Sequence, residues 1–389
     1  MAVIVQKFGG SSVADERGRE QAVKKIKAEL DSGNKPVVVV SAMGRRGAPY
    51  ATDTFLDLVP GAGAELSALI VSCGETISAC VMAHCLNTHG IPAKALTAYT
   101  AGIMASGPYD GAEPADINTA NLEALLEAGV VPVVTGFQGV LPDLSLATLG
   151  RGGSDTSAVA LGARLKAAYV DIFTDVPGVA MADPRIAPDA PFLPFLDYDS
   201  MLRLSANGNR VLHDRSAKIA MEKNVLIRIR STFDDKPGTL IGPCGSGAAP
   251  DLAGITVKDK DGETSILTLV FRKDAGRGKA DRLLTDQEQA GRRSADRELA
   301  DRGHAGCLQA GHGKADKELA DQGRAGCLHA EQGQADRGRA GPGRAGKIAG
   351  QLGVMPLPGG DPDIAIFELP KAGVKTALET ILAPYIKQA

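Results

Sequence analysis

Along the first 240 or so positions, short unbroken apolar runs alternate with longer amphipathic stretches. Residues 3–8 (VIVQKF) form one such run, and Gly9-Gly10 breaks it. Ser12 and Asp15 then have capping-box spacing, which predicts a helix running toward Leu30 and stopping near Gly33. Residues 37–40 are four valines, the mark of a strand buried on both faces. The same patterning predicts helices at 75–86 and around 118–127, strands at 130–135 and 169–174, and a helix starting near Asp155. Strand–helix alternation of this length implies α/β architecture, a mainly parallel sheet with helices on both faces. Ligands of such sheets sit outside the carboxyl ends of the strands. Chemistry is therefore expected just after each apolar run.

Beyond about residue 245 the pattern changes. Residues 255–257, 265–271 and 364–368 read as short strands and 374–385 as an amphipathic helix. Between them, at about 274–347, lies a stretch built mainly of Ala, Asp, Gly, Arg and Gln. ADRELADRGHAGCLQAGHG from Ala295 is followed by ADKELADQGRAGCLHAEQG from Ala315, and a degraded copy begins at Ala335. The period is about 20 residues and carries Cys307 onto Cys327. Each unit offers only Leu, Cys and Ala as apolar content, too little for a shared solenoid core, and its glycines disfavour helix. A disordered or loosely helical insertion is expected. Residues 341–346 (GPGRAG) match the pattern GxGxxG, but a dinucleotide loop needs a preceding strand and a following helix, and neither is predicted here.

Composition narrows the class. At 389 residues the chain holds two or three domains at roughly 150 residues each. With no Trp and 4% aromatics, the core must rest on Val, Ile, Leu and Ala. A net charge of -3 gives no basic excess for nucleic acid or an anionic membrane. The N-terminus, MAVIVQKFGG, lacks a basic leader, and no apolar run approaches the roughly 20 residues of a membrane span. A cytoplasmic protein with free thiols is expected. Cys80, His84 and Cys85 lie close in sequence, but zinc needs about four converging ligands, so no metal site is expected.

Three motifs carry chemistry. In Lys7-Phe8-Gly9-Gly10-Ser11-Ser12 a lysine ends a buried strand, glycines let backbone N–H groups approach an anion, and a helix N-terminus follows. In Gly150-Arg151-Gly152-Gly153-Ser154-Asp155, Ser154 or Asp155 is the expected N-cap, Arg151 can fork a carboxylate, and Asp155 can instead pair with an ammonium. Thr174-Asp175-Val176-Pro177-Gly178 and Ala182-Asp183-Pro184-Arg185 end a strand in a loop able to hold a base and ribose. Each motif alone also reads as a plain turn. Three anion-friendly turns at strand ends together point to phosphoryl transfer, which needs positioning and neutralised charge. A carboxylate acceptor is already ionised at pH 7, so no general base is required. His213, the nearest histidine, reads as structural.

These motifs resemble the aspartate kinases. The likeness runs in order through KFGGSSV (7–13), VVVVSAMG (37–44), SCGETIS (72–78), TGFQG (135–139), TLGRGGSDTSAVALGA (148–163), TDVPGVAMADPR (174–185), IRIRSTF (227–233) and GTLI (238–241). RRGAPYATDTFLDL (45–58) resembles the longer form found in one bacterial branch. The resemblance implies the amino-acid-kinase αβα sandwich over residues 1–245. It implies a smaller α+β, ferredoxin-like ACT region over 246–389, interrupted by the repeats.

By the same resemblance, Lys7 sits at the transferring phosphoryl group with Gly9, Gly10 and Ser41 beside it. Thr52, Glu75, Arg151, Ser154 and Asp155 hold L-aspartate: Arg151 takes the α-carboxylate, and Glu75 and Asp155 face the ammonium. Thr174, Asp175, Asp183 and Arg185 line the ATP site. Mg²⁺ bridges the ATP phosphates. Arg210 stands where the family usually has lysine, keeping charge with a different geometry. Ala180 stands where an aromatic often lies near adenine. The implied product is aspartyl 4-phosphate, the implied effector lysine or threonine, and the implied assembly a homodimer. The other readings are a kinase for another amino acid on this fold and an inactive ACT-type sensor.

Overall fold

Four valines in β2 (Lys35–Val40) lie beside β1 (Val3–Phe8), and nearly every residue of both strands is buried. Strands covered on both faces read as continuous apolar runs, and this pair forms the centre of a parallel sheet. The computed structural model describes residues 1–243, 251–272, 344–352, 354, 356–357, 361 and 363–386. The chain divides into two units, Met1–Lys273 with Ala349–Ala389, and Asp274–Ile348. Most of the second unit, including the repeats and the expectation of disorder there, lies outside the described residues, as do Cys244, Cys307 and Cys327.

After β1 come α1 (Gly10–Val13), α2 (Glu16–Asp31), β2, α3 (Thr52–Leu56), α4 (Ala64–Thr88), β3 (Ala93–Leu96) and α5 (Ala98–Ala101). Next are β4 (Ile103–Ser106), β5 (Glu113–Ile117), α6 (Ala120–Glu127), β6 (Val131–Thr135), β7 (Gln138–Val140) and β8 (Leu146–Thr148). α7 (Gly153–Arg164), β9 (Val170–Thr174), β10 (Phe195–Asp197), α8 (Tyr198–Ala206), α9 (Asp214–Lys223), β11 (Ile227–Ser231) and β12 (Thr239–Gly242) complete this part. The main sheet has the order β10-β12-β11-β9-β1-β2-β6-β3, parallel except where β11 meets β12. The register pairs Phe8 with Val40 and Phe173, and Val40 with Thr135, so four strands end level. β1 lies between β2 and β9, the place where the strand order reverses and where such sheets bind ligands. The rings of Phe8 and Phe173 stack at 4.8 Å under that edge.

Several boundaries differ from the sequence expectation. Asp15, not Ser12, caps α2 by accepting from the Gly18 N–H at 2.7 Å. The Ser12 hydroxyl accepts from Thr232 instead, and α1 intervenes as a separate turn. α4 begins 11 residues before Glu75, with 25 residues in all. Its N-cap is Gly63, with no side-chain cap to announce the start. By length and composition α4 is long and apolar enough to cross a membrane, contrary to the expectation that nothing in the chain is. Its buried residues, among them Met82 and Leu86, instead pack into the core with Val38 and Val133 of the sheet. The small sheet β5-β4-β7-β8 was not foreseen, because strands of three to five residues are too short for periodicity to show. A helix, α10 (Arg344–Leu352), begins inside the GPGRAG stretch, where no following helix was predicted.

In the C-terminal part, β13 (Leu252–Asp259), β14 (Thr264–Phe271) and β15 (Ile364–Pro370) form an antiparallel sheet in that order. The helix α11 (Val374–Ile386) buries Val374, Ala377, Leu378, Ile381 and Leu382, a single stripe at helical spacing. The fold is thus an α/β sandwich built on a mainly parallel sheet, with a smaller α+β part. The two are tied: the Ile255 N–H donates to the Met181 carbonyl at 2.7 Å, and Arg272 donates to the Phe195 carbonyl at 2.6 Å. Arg203 of α8, almost fully buried, also faces Asp361 and Asp363 at 3.5 Å.

Candidate active site

Consecutive residues of a strand point to opposite faces. Phe8 therefore enters the core while Lys7 turns the other way, toward the start of α7. There its Nζ lies 2.6 Å from Asp155 Oδ1, with both side chains nearly buried. Gly9 donates to the Phe173 carbonyl at 3.1 Å, and a Cβ on Gly9 would lie 3.7 Å from Lys7 Nζ. Its absence leaves space beside the ammonium. At Gly10 a Cβ would come within 2.5 Å of the Gly44 carbonyl and 2.7 Å of Ala42, so only glycine lets α1 approach the loop after β2.

A cleft of about 480 Å³ opens here. Lys7, Gly10, Ser41, Thr52, Glu75, Arg151, Ser154 and Asp155 all line it, although they come from five separate stretches of chain. A groove of similar size, about 510 Å³, lies between β5, α7 and α9. Its two arginines already serve the backbone, Arg164 at Ile117 and Arg215 at Leu149, and none of the predicted site residues faces it.

Glu75 enters the cleft from α4. Its Oε1 accepts from the Ala42 N–H at 3.2 Å, while Oε2 is buried with no partner. Burial pushes its pKa up to about 7, against the opposing Ala42 hydrogen bond. A buried carboxylate oxygen without a donor is a costly arrangement that a cationic ligand would relieve.

The Gly150–Gly153 turn departs from expectation. The N-cap of α7 is Gly152, at φ 74° with no side-chain cap, so neither Ser154 nor Asp155 fills that role. Both instead lie in the first turn, where the helix dipole favours the Asp155 anion. A Cβ on Gly152 would be 2.4 Å from the His213 Cβ. His213 thus packs beneath the turn, and its Nδ1 lies 2.6 Å from Asp214. Gly152→Ala combines a left-handed backbone with this clash. It is expected to cost about 2–4 kcal/mol, read as a lower urea midpoint with an unchanged m-value.

Two residues were missed. Arg215 of α9 donates to the carbonyls of Leu149 at 2.8 Å and Ala112 at 3.1 Å, joining the glycine turn to the loop that brings Asp110 to the cleft. Arg45, in the loop after β2, pairs with Asp175 at 2.7 Å. A lone arginine carries no periodic or spacing signal, so neither was recoverable from sequence.

The remaining predicted residues do not line the cleft. Thr174 and Asp175 stand at the end of β9, with the Thr174 hydroxyl donating to Asp175 at 3.1 Å. Asp183 is gripped by the guanidinium of Arg185, Nη2 to Oδ2 at 2.6 Å. That bond, helped by Arg210, holds the Asp183 carboxyl below the usual range. Ala180 forms a β-bridge with Phe192, a partly exposed aromatic ring.

The profile of the amino acid kinase family matches residues 2–231. Aspartokinase 1 of Bacillus subtilis is 41% identical over 297 residues, covering 72% of this chain and 74% of that one. The chain belongs to the aspartokinases, within the amino acid kinase family. Aspartokinase of Mycolicibacterium smegmatis is 40% identical over 246 residues, which span 62% of this chain and only 57% of that relative. Among solved aspartokinases, the crystal structure of the Synechocystis enzyme shares 36% identity at TM-score 0.55, covering 69% of this chain and 45% of that one. E. coli aspartokinase III in complex with aspartate and ADP aligns over 98% of this chain and 99% of that one at TM-score 0.66. At 18% identity, that likeness shows the shared fold.

Proposed function

We propose that this cleft transfers the γ-phosphoryl group of ATP to the side-chain carboxylate of L-aspartate, giving aspartyl 4-phosphate and ADP. One observation carries the assignment of residues. The buried Lys7–Asp155 pair, the partnerless oxygen of Glu75 and the Arg151 turn share one cleft at the level ends of four strands.

Arg151 forks the α-carboxylate of aspartate. Glu75 and Asp155 receive its ammonium, and Thr52 and Ser154 supply neutral contacts. This fixes the side-chain carboxylate toward Lys7. A carboxylate oxygen attacks the γ-phosphorus as the bond to the β-phosphate oxygen breaks, and no proton need move. Lys7 leaves Asp155 for the transferring group and neutralises its charge. The backbone N–H of Gly10, with Ser41, completes the phosphate cradle, and Gly9, whose own N–H is held by the Phe173 carbonyl, leaves the space beside Lys7. Thr174, Asp175, Asp183, Arg185 and Arg210 form the nucleotide side. The exposed Arg45–Asp175 pair contributes about 0–1 kcal/mol, so it opens readily to admit phosphates. Mg²⁺, carried on those phosphates, would offset their charge.

Protein with ATP, Mg²⁺ and hydroxylamine is expected to accumulate aspartyl hydroxamate. Trapping with glutamate in place of aspartate would overturn the assignment.

The smaller part is proposed as the seat of amino-acid control, with lysine or threonine as effector, acting in a cytoplasmic homodimer. The Ile255–Met181 hydrogen bond supports this reading, since it joins β13 to the loop that carries Asp183 and Arg185.

A further inference from the structure

Away from the cleft, α2 and α4 bring Glu20, Cys85 and His89 together, with donor atoms all within 4.8 Å of one another. Cys85 and His89 are one turn apart and share a helix face. His89 caps the C-terminus of α4, and its Nδ1 contacts the Cys85 carbonyl at 2.7 Å. That contact turns Nε2 outward, to 3.2 Å from Glu20 Oε2. A metal-binding imidazole has one nitrogen anchored on a carbonyl in this way; here the other would exchange its hydrogen bond with Glu20 for the metal. Two donors bound to one ion at about 2.0–2.1 Å in tetrahedral geometry lie roughly 3.3 Å apart. The Glu20–His89 separation already has that value within a few tenths of an ångström.

We propose that Glu20, Cys85 and His89 form a zinc site that clips α2 to the C-terminal end of α4. Sulfur with imidazole selects Zn²⁺ over Mg²⁺ or Ca²⁺, which take oxygen donors. Thiolate and carboxylate together balance the two charges of the ion, and three protein ligands leave one position for water. Zinc takes the Cys85 sulfur as thiolate, so binding releases the thiol proton. Cys80 and His84, grouped with Cys85 by sequence, are not part of the cluster; the third donor comes from a different helix. Cys85 lies about 15 Å along α4 from Glu75, so the metal acts on helix docking and takes no part in phosphoryl transfer.

The test uses the full chain carrying Cys307→Ser and Cys327→Ser, so that the repeat cysteines do not compete. Metal-free protein is titrated with Zn²⁺ against a chromophoric chelator, and with Co²⁺ followed by absorption. One tight Zn²⁺ per chain is expected. Outer-shell changes already cost about 10–100-fold in affinity, so Cys85→Ser and His89→Ala should each weaken binding at least about 100-fold. The thiolate-to-cobalt band should vanish in Cys85→Ser. Circular dichroism and kinase turnover, expected unchanged, establish that both variants fold. No stoichiometric zinc, or undiminished affinity in both variants, overturns the site. Because metal binding is read directly, that result is separable from failure of the kinase assignment.

Discussion

Lys7→Met is expected to lower kcat for aspartate phosphorylation by at least about 10³-fold, the scale for losing a preorganised charge at a transferring phosphoryl group. The variant has a second effect that must be separated from the first. Lys7 and Asp155 lie 2.6 Å apart, nearly buried. Removing one member leaves an unpaired charge, at a cost of about 3–5 kcal/mol in stability. Lys7→Met with Asp155→Asn removes both charges and should recover most of that stability. It should recover none of the activity, because neither the phosphate cation nor the ammonium acceptor returns. Urea unfolding and steady-state kinetics on the single and double variants distinguish the roles. A folded Lys7→Met protein within tenfold of the parent rate would refute a direct role for Lys7.

Glu75→Gln should move stability and binding in opposite directions. Burial raises the folded pKa of Glu75 from 4.5 to about 7. The native state therefore holds this proton more tightly than the unfolded chain. The contribution of Glu75 to stability is greatest below pH 4.5 and is lost as pH rises through 7. A shift of this size corresponds to roughly 3 kcal/mol. Ligand-free Glu75→Gln should thus be more stable than the parent at pH 8, by up to that amount, and indistinguishable near pH 4. Aspartate affinity should fall, because a charge-assisted contact worth about 1.5–3 kcal/mol is lost, a rise in KM of roughly 10–150-fold. In the parent, affinity should strengthen as pH rises through 7 and Glu75 ionises. In the variant that pH dependence should flatten. Equal stability at pH 8 would show that Glu75 carries no burial penalty in the free protein.

The zinc cluster and the active cleft show opposite limits of reading a sequence. The glycines at 9–10 and 150–153 were legible because each punctuates an apolar run in a way that only a strand–turn–helix explains. Glu75 was legible through the SCGETIS resemblance alone, since a glutamate within an apolar helix carries no role by itself. Arg215 and Arg45 were invisible: one holds backbone carbonyls from distant loops, and the other meets Asp175 across the sheet edge. The cap of α7 was misassigned because Ser and Asp ordinarily cap helices, whereas here the left-handed Gly152 must make room for His213.

The sequence by itself determined a parallel α/β core with anion-friendly turns at its strand ends. Strand burial and turn chemistry are local properties, written in runs of valine and in glycine pairs. The tertiary structure decided how those turns are charged. The Lys7–Asp155 pair, the unpartnered oxygen of Glu75 and the Glu20–Cys85–His89 cluster each depend on which residues meet across a sheet or between helices. Electrostatic energy depends on distance and burial, and neither is fixed until the chain has folded.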